Sequence, residues 1–130
     1  MGVQAKVSGV TTEPITGRQY VIAYFGQITD NEGVMTIQTT SLMLYNTGEY
    51  KWICTIVSTK AKATWHQSFN LLDENKGYLG RLPDLEQEDL VYSPYIPTQV
   101  YNWQSQKHGF NSNLFKNIAW VELNFRTTHE

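Results

Sequence analysis

The sequence is short of charge and holds a single cysteine. Of its 130 residues, 17% are Asp, Glu, Lys or Arg, whereas average soluble domains carry roughly 25%. Cys54 is alone, so no disulfide can form within the chain. Small secreted domains often depend on paired cysteines, and the sequence also lacks an Asn-x-Ser/Thr glycosylation site. Both absences favour synthesis in the cytoplasm over secretion.

Three further absences exclude classes of function. The formal net charge is −2 and the basic residues are scattered, which leaves no basic patch for nucleic acid. No apolar run approaches the 18 residues of a membrane-spanning helix. The N-terminus has no apolar segment of the kind that a signal peptide needs. We therefore expect no nucleic-acid partner, no membrane insertion and no secretion by a signal peptide.

No catalytic, cofactor or metal motif is present, so we expect no catalytic residue, no cofactor and no metal ligand. His66, His108 and His129 lack the spacing of metal ligands. No glycine-rich loop follows a strand to hold phosphates, and no Ser lies in a nucleophile elbow. Glu122 is an acid within a regular strand pattern, and we expect it to pair with Arg126 on the same strand face. An enzyme is the most remote of the functions considered.

What the sequence does have is a periodicity of two, which predicts strands. Residues 118–126, IAWVELNFR, alternate with Ala119, Val121, Leu123 and Phe125 on the inward side. Residues 64–72, TWHQSFNLL, alternate in the same way, and Val3, Ala5 and Val7 predict a first strand. A different pattern follows Gly17, where QYVIAYFGQI is apolar on both faces; this predicts a strand buried on both sides.

Turn signals separate these strands. Residues 30–33, Asp-Asn-Glu-Gly, predict a turn because Asn and Gly tolerate positive φ. The run VMTIQTTSLMLY then predicts one bent strand or two strands with a break near Thr40. Asn46-Thr47-Gly48 predicts a hairpin into EYKWICTIV. In that strand Cys54 alternates with core residues, which predicts a buried and unreactive thiol.

The strand pattern lapses between residues 73 and 113. DENKG predicts a turn, PDLEQEDL one or two helical turns, and VYSPYIP an extended segment because of its prolines. Together the patterns predict a single all-β domain over residues 1–130. The expected architecture is an antiparallel β-sandwich (jelly-roll-like) or barrel of about seven or eight strands, with a long loop region around 73–113 and little helix.

The composition favours a protein that acts through surface contacts. Interface cores are depleted in charge and enriched in aromatic residues, and 13% of this chain is aromatic. We therefore expect a non-catalytic structural, assembly or attachment module, such as a component of a virus or phage particle, that forms homo-oligomers or a larger assembly. The candidate interface anchors are Tyr92, Tyr95, Tyr101, Trp103 and Phe110.

The stretch YNWQSQKHGFNSN, residues 101–113, supports an alternative function. Sugars stack on aromatic rings and bond to amides, so a glycan-binding (lectin-like) module would use Tyr101 and Trp103 as platforms. Its polar side chains would read the hydroxyl groups: Asn102, Gln104, Gln106, Lys107, His108 and Asn111. In a third interpretation, Trp103 closes one end of the sandwich and the amides satisfy the backbone of the loop.

Overall fold

The protein is an antiparallel β-sandwich of two five-stranded sheets, as seen in a computed structural model. The structure describes residues 2–59, 64–82, 89–91, 99–104 and 109–128. The strands are β1 (Gly2–Lys6), β2 (Thr11–Thr12), β3 (Gln19–Thr29), β4 (Met35–Tyr45), β5 (Tyr50–Ser58), β6 (Thr64–Leu72), β7 (Tyr78–Arg81), β8 (Asp89–Val91), β9 (Gln99–Gln104) and β10 (Trp120–Thr128).

Sheet A combines the two ends of the chain with its middle. Its order is β1-β10-β6-β7, and β8 pairs with β6 beside β7. The long strand β10 lies between β1 and β6 and is paired along its whole length, from Trp120 opposite Leu72 to Thr128 opposite Thr64. A short 3₁₀ helix, Ser112–Asn117, precedes β10.

Sheet B is built around a meander. Its order is β2-β3-β4-β5-β9, so three consecutive strands form its centre and two short strands form its edges. The N-terminal segment contributes β1 to the edge of sheet A and β2 to the edge of sheet B. Between these strands, the Ser8 N–H donates to the carbonyl of Ile22 at 2.8 Å. The segment therefore closes one side of the sandwich.

Aromatic residues from both sheets meet in the core. The rings of Trp52 and Phe69 lie 4.8 Å apart between centroids in an edge-to-face arrangement, and Phe25 contacts both. Further along, the Trp65 and Phe125 rings stack at 4.6 Å. Pairs of this kind add about 0.5–1.5 kcal/mol to the effect of apolar burial. The two sheets are therefore joined by an aromatic layer.

Asp30 adds a polar link between the sheets. This residue is 7% exposed at the start of the β3–β4 turn; one carboxylate oxygen accepts from the Val34 N–H at 2.8 Å and the other from the Thr127 hydroxyl of β10 at 2.8 Å. Burial acts to raise the pKa of Asp30, but the hydrogen bonds from Thr127 and the turn backbone outweigh it and hold the pKa below its usual value. The ionised carboxylate thus stabilises the native sandwich.

The turn and hairpin predictions are confirmed. Gly33 has φ 70° in the turn after Asp30, and Gly48 has φ 92° in the hairpin between β4 and β5. Residues 35–45 form one strand with a register shift between Gln38 and Ser41, so the bent-strand alternative is correct. The alternation predicted for β6 and β10 is also present, with Trp65, Phe69, Val121 and Leu123 fully buried.

The segment from 73 to 113 contains more regular structure than its sequence indicates. It holds β7, β8 and β9, which bring the number of strands in the described residues to ten. These strands have three to six residues, too few for an alternating pattern to stand out. The predicted helical turns and extended proline segment fall mostly at residues 83–88 and 92–98, outside the described residues.

The prediction that QYVIAYFGQI is buried on both sides is wrong. Val21, Ala23 and Phe25 of β3 are buried, but Tyr24 between them is 65% exposed. The strand therefore has one face in the core and one apolar face turned outward.

Candidate functional site

Four predicted site residues lie on β9, at an edge of sheet B: Tyr101, Asn102, Trp103 and Gln104. In the β5–β9 register, Tyr101 is opposite Cys54 and Trp103 is opposite Trp52. These positions therefore belong to a strand of the sandwich rather than to a free loop. Five other candidates lie outside the described residues: Tyr92, Tyr95, Gln106, Lys107 and His108.

The last two candidates, Phe110 and Asn111, have structural contacts. Phe110 is 6% exposed within the core, and its N–H donates to the carbonyl of Gly48 at 3.1 Å. The Asn111 side chain accepts from the Asn113 N–H at 3.0 Å and caps the 3₁₀ helix. Phe110 is thus not available as a surface anchor, and Asn111 serves the local backbone.

The outward side of β3, β4 and β5 carries a group of apolar side chains among Ser, Thr and Gln residues, and we call it the sheet B outer face. The register places Ile22 opposite Met43, and Ser41 opposite Ile53. Tyr24 is exposed, while the other members are half-buried: Tyr20, Ile22, Met43, Ile53 and Val57. Among the side chains described on these three strands, Lys51 carries the one charge on this face. Apolar surface of this extent on one face is typical of a contact surface.

A group of charged side chains borders this face at one end. The Arg18 guanidinium lies 4.3 Å from the centroid of the Tyr45 ring and forms ion pairs with Glu13 at 3.3 Å and Glu49 at 3.1 Å. Hydrogen bonds from Thr16 and Arg18 lower the pKa of Glu13. Because the cation covers the ring, Tyr45 is only 7% exposed. The apolar face therefore ends at a polar margin.

The outward side of β1, β10 and β6 is polar, and we call it the sheet A outer face. At its centre the Glu122 carboxylate accepts from three amides: Gln4 at 3.1 Å, Asn70 at 3.2 Å and Asn124 at 3.2 Å. These hydrogen bonds lower the pKa of Glu122, with burial opposing them. The expected pairing of Glu122 with Arg126 was therefore wrong, because amides from three strands satisfy the carboxylate instead.

A cleft opens at one end of the sheet A outer face, and we call it the Trp120 cleft. Its volume is about 650 Å³, and its walls are Lys6, Asp73, Glu74, Asn75, Leu79 and residues 116–120. The Lys76 ammonium lies 4.3 Å from the centroid of the Trp120 ring, a cation–π contact. The cleft therefore combines an aromatic wall, ammonium groups, carboxylates and amides.

The turn at 73–77 is built tightly around one carboxylate. Asp73 Oδ1 accepts from the N–H groups of Asn75 at 2.9 Å and Gly77 at 2.7 Å. A Cβ on Gly77 would lie 2.8 Å from Asp73 Oδ2, so a side chain here would force the turn to shift. Lys76 has φ 64°, a left-handed conformation. These contacts fix the backbone from which Lys76 reaches over Trp120.

Cys54 has the properties of a core residue. Burial raises the pKa of its thiol to about 12, with a weak opposing contact from the Trp52 indole. At neutral pH the group is protonated and is a poor nucleophile.

In the part of the chain that the structure describes, no three His, Cys, Asp or Glu side chains lie close enough together to hold a metal ion. That part also holds no helix long and apolar enough to cross a membrane.

Comparison with known proteins identifies a family. A family model described as a family of unknown function (DUF6294) matches residues 41–126, more than half of the chain. The chain belongs to this family. No curated protein and no solved structure matches the chain. The matched region runs from the middle of β4 into β10 and therefore includes Glu122, Trp120 and the 73–77 turn.

Sequence reasoning found parts of these surfaces but not their assembly. Glu122 and Trp120 alternate outward from β10, and that placement was predictable from the pattern. Lys76 and Lys6 are distant from Trp120 along the chain, and no local signal links the three. For the sheet B outer face the signal was present in β3, whose two apolar faces indicated that its outward side would meet another surface.

Proposed function

We propose that this chain is a non-catalytic assembly module whose sheet B outer face packs against the same face of a second copy. The observation that carries the proposal is the apolar character of this face across three adjacent strands. Ile22 lies opposite Met43, Ile53 lies diagonal to Met43 on β5, and Tyr24 is 65% exposed. Covering these side chains removes apolar surface from water, which is the main favourable term in association.

The dimensions of the face indicate a weak dimer. Three strands spaced about 4.8 Å apart span roughly 14 Å, and seven residues along a strand span roughly 23 Å. The flat area is then roughly 330 Å² per copy, or roughly 660 Å² for two copies. Stable, specific interfaces bury about 1,200–2,000 Å² in total. A dimer through this face therefore belongs to the weak, transient class.

The charge distribution also suits two identical faces in contact. Lys51 is two residues from Ile53 on the same side of β5. A two-fold axis that crosses the strands at Ile53 separates the two Lys51 backbones by about 13 Å along the strands. This spacing lets the two long side chains extend away from each other to solvent, where salt screens their charges. Homodimers with such isologous contacts are the commonest symmetric oligomers.

Two of the expected functions rest on the sequence alone. A place in a virus or phage particle follows from composition and stays a prediction. Glycan binding by residues 101–113 also stays a prediction. Of its proposed readers, Asn102 and Gln104 are on β9, Asn111 caps the 3₁₀ helix, and the others lie outside the described residues. A glycan array silent for the native chain, or unchanged by Trp103→Ala, would count against that second function.

Sedimentation velocity from low to high micromolar concentration tests the assembly proposal. We expect the native chain to shift from monomer to dimer with concentration and Met43→Lys to remain monomeric throughout. Ser68→Lys, on the sheet A outer face, is the matched control and should dimerise as the native chain does. A native chain that stays strictly monomeric, or equal effects of the two lysine substitutions, would contradict the proposal.

A further inference from the structure

We infer that the Trp120 cleft binds a saccharide that carries a carboxylate group. The cleft lies on sheet A, so this inference does not depend on the assembly proposal for sheet B. Its volume of about 650 Å³ falls within the usual range of about 300–1,000 Å³ for small-molecule sites. Two of its walls come from the 73–77 turn and the end of the 3₁₀ helix, and a third comes from Lys6 at the end of β1.

The aromatic wall suits the apolar face of a sugar ring. Trp120 is half-buried on a sheet face where its strand neighbours Glu122 and Asn124 are polar. An aromatic ring whose edge is fixed and whose face is accessible can stack on the C–H groups of a pyranose while the hydroxyl groups point to polar partners. Lys76, which lies over Trp120, is itself exposed. A ligand that stacks on this side of the ring therefore displaces only a solvated ammonium group.

The polar walls specify the functional groups of the ligand. Lys6 and Lys116 line the cleft and are both exposed, so their ammonium groups can pair with an anion. Asn75 and Asn117 offer amides for hydroxyl groups, and Glu74 offers a carboxylate that accepts from them. Asp73 contributes less to a ligand, since its Oδ1 already holds two backbone N–H groups.

Charge favours an acidic over a neutral saccharide. Lys6 and Lys116 line the cleft and Lys76 lies over the Trp120 ring, against the carboxylates of Glu74 and the turn-bound Asp73. A ligand carboxylate gains charge-assisted hydrogen bonds here, which are roughly twice as strong as neutral ones. A bare anion would make the same ion pairs but would leave Trp120 and the apolar wall of Leu79 and Ile118 without a partner.

The test is NMR titration of the full chain with defined probes. The probes are a glucuronate-containing disaccharide, a neutral disaccharide of the same linkage, and inorganic phosphate. We expect saturable shifts at the backbone amides of residues 73–77 and 116–120 with the acidic disaccharide. The neutral disaccharide and phosphate should each bind at least about ten-fold more weakly, because each lacks one class of contact.

Substitutions assign the contacts. Lys116→Ala should weaken binding of the acidic disaccharide about ten-fold and leave the neutral one unchanged. Trp120→Ala should weaken the binding of both disaccharides. If that variant folds poorly, Trp120→Phe, which keeps an aromatic ring, should show a smaller loss of binding. Lys51→Ala, on the opposite sheet, is the control and should bind as the native chain does.

Three outcomes would overturn the inference. The first is no saturable shift with the acidic disaccharide. The second is phosphate binding as tightly as that disaccharide, which would make the cleft a plain anion site. The third is equal affinity for the neutral and acidic disaccharides, which would remove the role of the lysines.

Discussion

The two outer faces of the sandwich are built from strands of similar length but opposite chemistry. On the sheet A outer face, the Glu122 carboxylate accepts from one amide on its own strand and from one on each neighbouring strand, so these polar groups satisfy one another. On the sheet B outer face, Ile22 lies opposite Met43, Ile53 lies diagonal to Met43, and Lys51 is the charged neighbour opposite Met43. The polar groups of the sheet A outer face find hydrogen-bond partners within one chain. The apolar side chains of the sheet B outer face would be stabilised by a covering surface.

This difference shows that an alternating sequence pattern alone does not specify the chemistry of the outward side of a strand. In sheet A the outward positions of β10 and β6 are polar or aromatic, as a solvated antiparallel sheet requires. In sheet B several outward positions are apolar or aromatic, among them Ile22 and Tyr24 of β3 and Ile53 and Val57 of β5. We propose that such a face meets a partner, and the following changes test this proposal.

Placing a carboxylate on each face should give the largest contrast. Ile53→Glu should weaken dimerisation about 100-fold or more, because the dimer would bury two new charges in its contact. Ser68→Glu, on the sheet A outer face, should change the dimer constant less than about three-fold. Light scattering over a dilution series measures both. Comparable losses in the two variants would contradict the assignment of the interface to sheet B.

Removing the acceptor at the centre of sheet A should destabilise the monomer. Glu122→Leu leaves the amides of Gln4, Asn70 and Asn124 without their shared carboxylate, and we expect a loss of about 1–2 kcal/mol in the free energy of unfolding. Glu122→Gln keeps one acceptor and should lose less. Urea unfolding monitored by fluorescence gives both values. If the leucine variant is as stable as the native chain, the network contributes nothing to stability.

Substitutions of two amide residues on β6 should change the free energy of unfolding in opposite directions. Asn70 points outward and donates to Glu122, whereas Gln67 is 5% exposed in the core and neither polar atom of its amide has a hydrogen-bond partner. Gln67→Met removes a buried unpaired amide at similar volume and should raise the free energy of unfolding by about 1 kcal/mol. Asn70→Ala should lower it. A loss of stability in Gln67→Met would mean that the amide is satisfied in solution.

Acid should weaken the sandwich through Asp30 and Glu122. The pKa of each is lowered in the native state, so the stability that each contributes is present above the unfolded-state pKa and is lost as the pH falls through the folded-state pKa. Unfolding free energies measured from pH 6 downward should therefore decline below about pH 4. Asp30→Asn and Glu122→Gln should each make the decline shallower. An unchanged slope in both variants would remove these two groups from the explanation.

The charged margin of the sheet B outer face should give the smallest effect. Arg18 is 30% exposed at its side chain, and its ion pairs with Glu13 and Glu49 are partly screened by water. Arg18→Met should therefore cost less than about 1 kcal/mol. The substitution removes the cation from the Tyr45 ring at the end of the sheet B outer face and adds no charge to that face. We therefore expect dimerisation to be maintained. Loss of the dimer in this variant would place the contact at the margin instead of on the strands.

Local patterns predicted the strands and turns that carry strong signals. The alternation of β6 and β10, the glycine turns at Gly33 and Gly48, and the burial of Cys54 follow from residues close in sequence. Local patterns did not predict which strands pair with one another. The position of β10 between β1 and β6 depends on contacts between the two ends of the chain, and no periodicity within one strand specifies its neighbours.

The candidate sites were predictable only in part for the same reason. The Trp120 cleft combines Lys6, the 73–77 turn and β10, which meet only after the sheet has formed. Phe110 was expected at the surface because it lies beside amides, yet the hairpin carbonyl of Gly48 holds its backbone and the side chain enters the core. Polar neighbours in sequence do not report which side chain the tertiary fold buries.

Disulfide trapping tests the central claim most directly. In a Cys54→Ala background, a single cysteine is placed either on the sheet B outer face by Ile53→Cys or on the sheet A outer face by Ser68→Cys, and each variant is oxidised under mild conditions. If the sheet B outer faces meet around a two-fold axis near Ile53, this variant should form a covalent dimer rapidly, and the Ser68→Cys variant should form one only slowly. Equal rates of cross-linking, or faster cross-linking through sheet A, would contradict the proposed assembly.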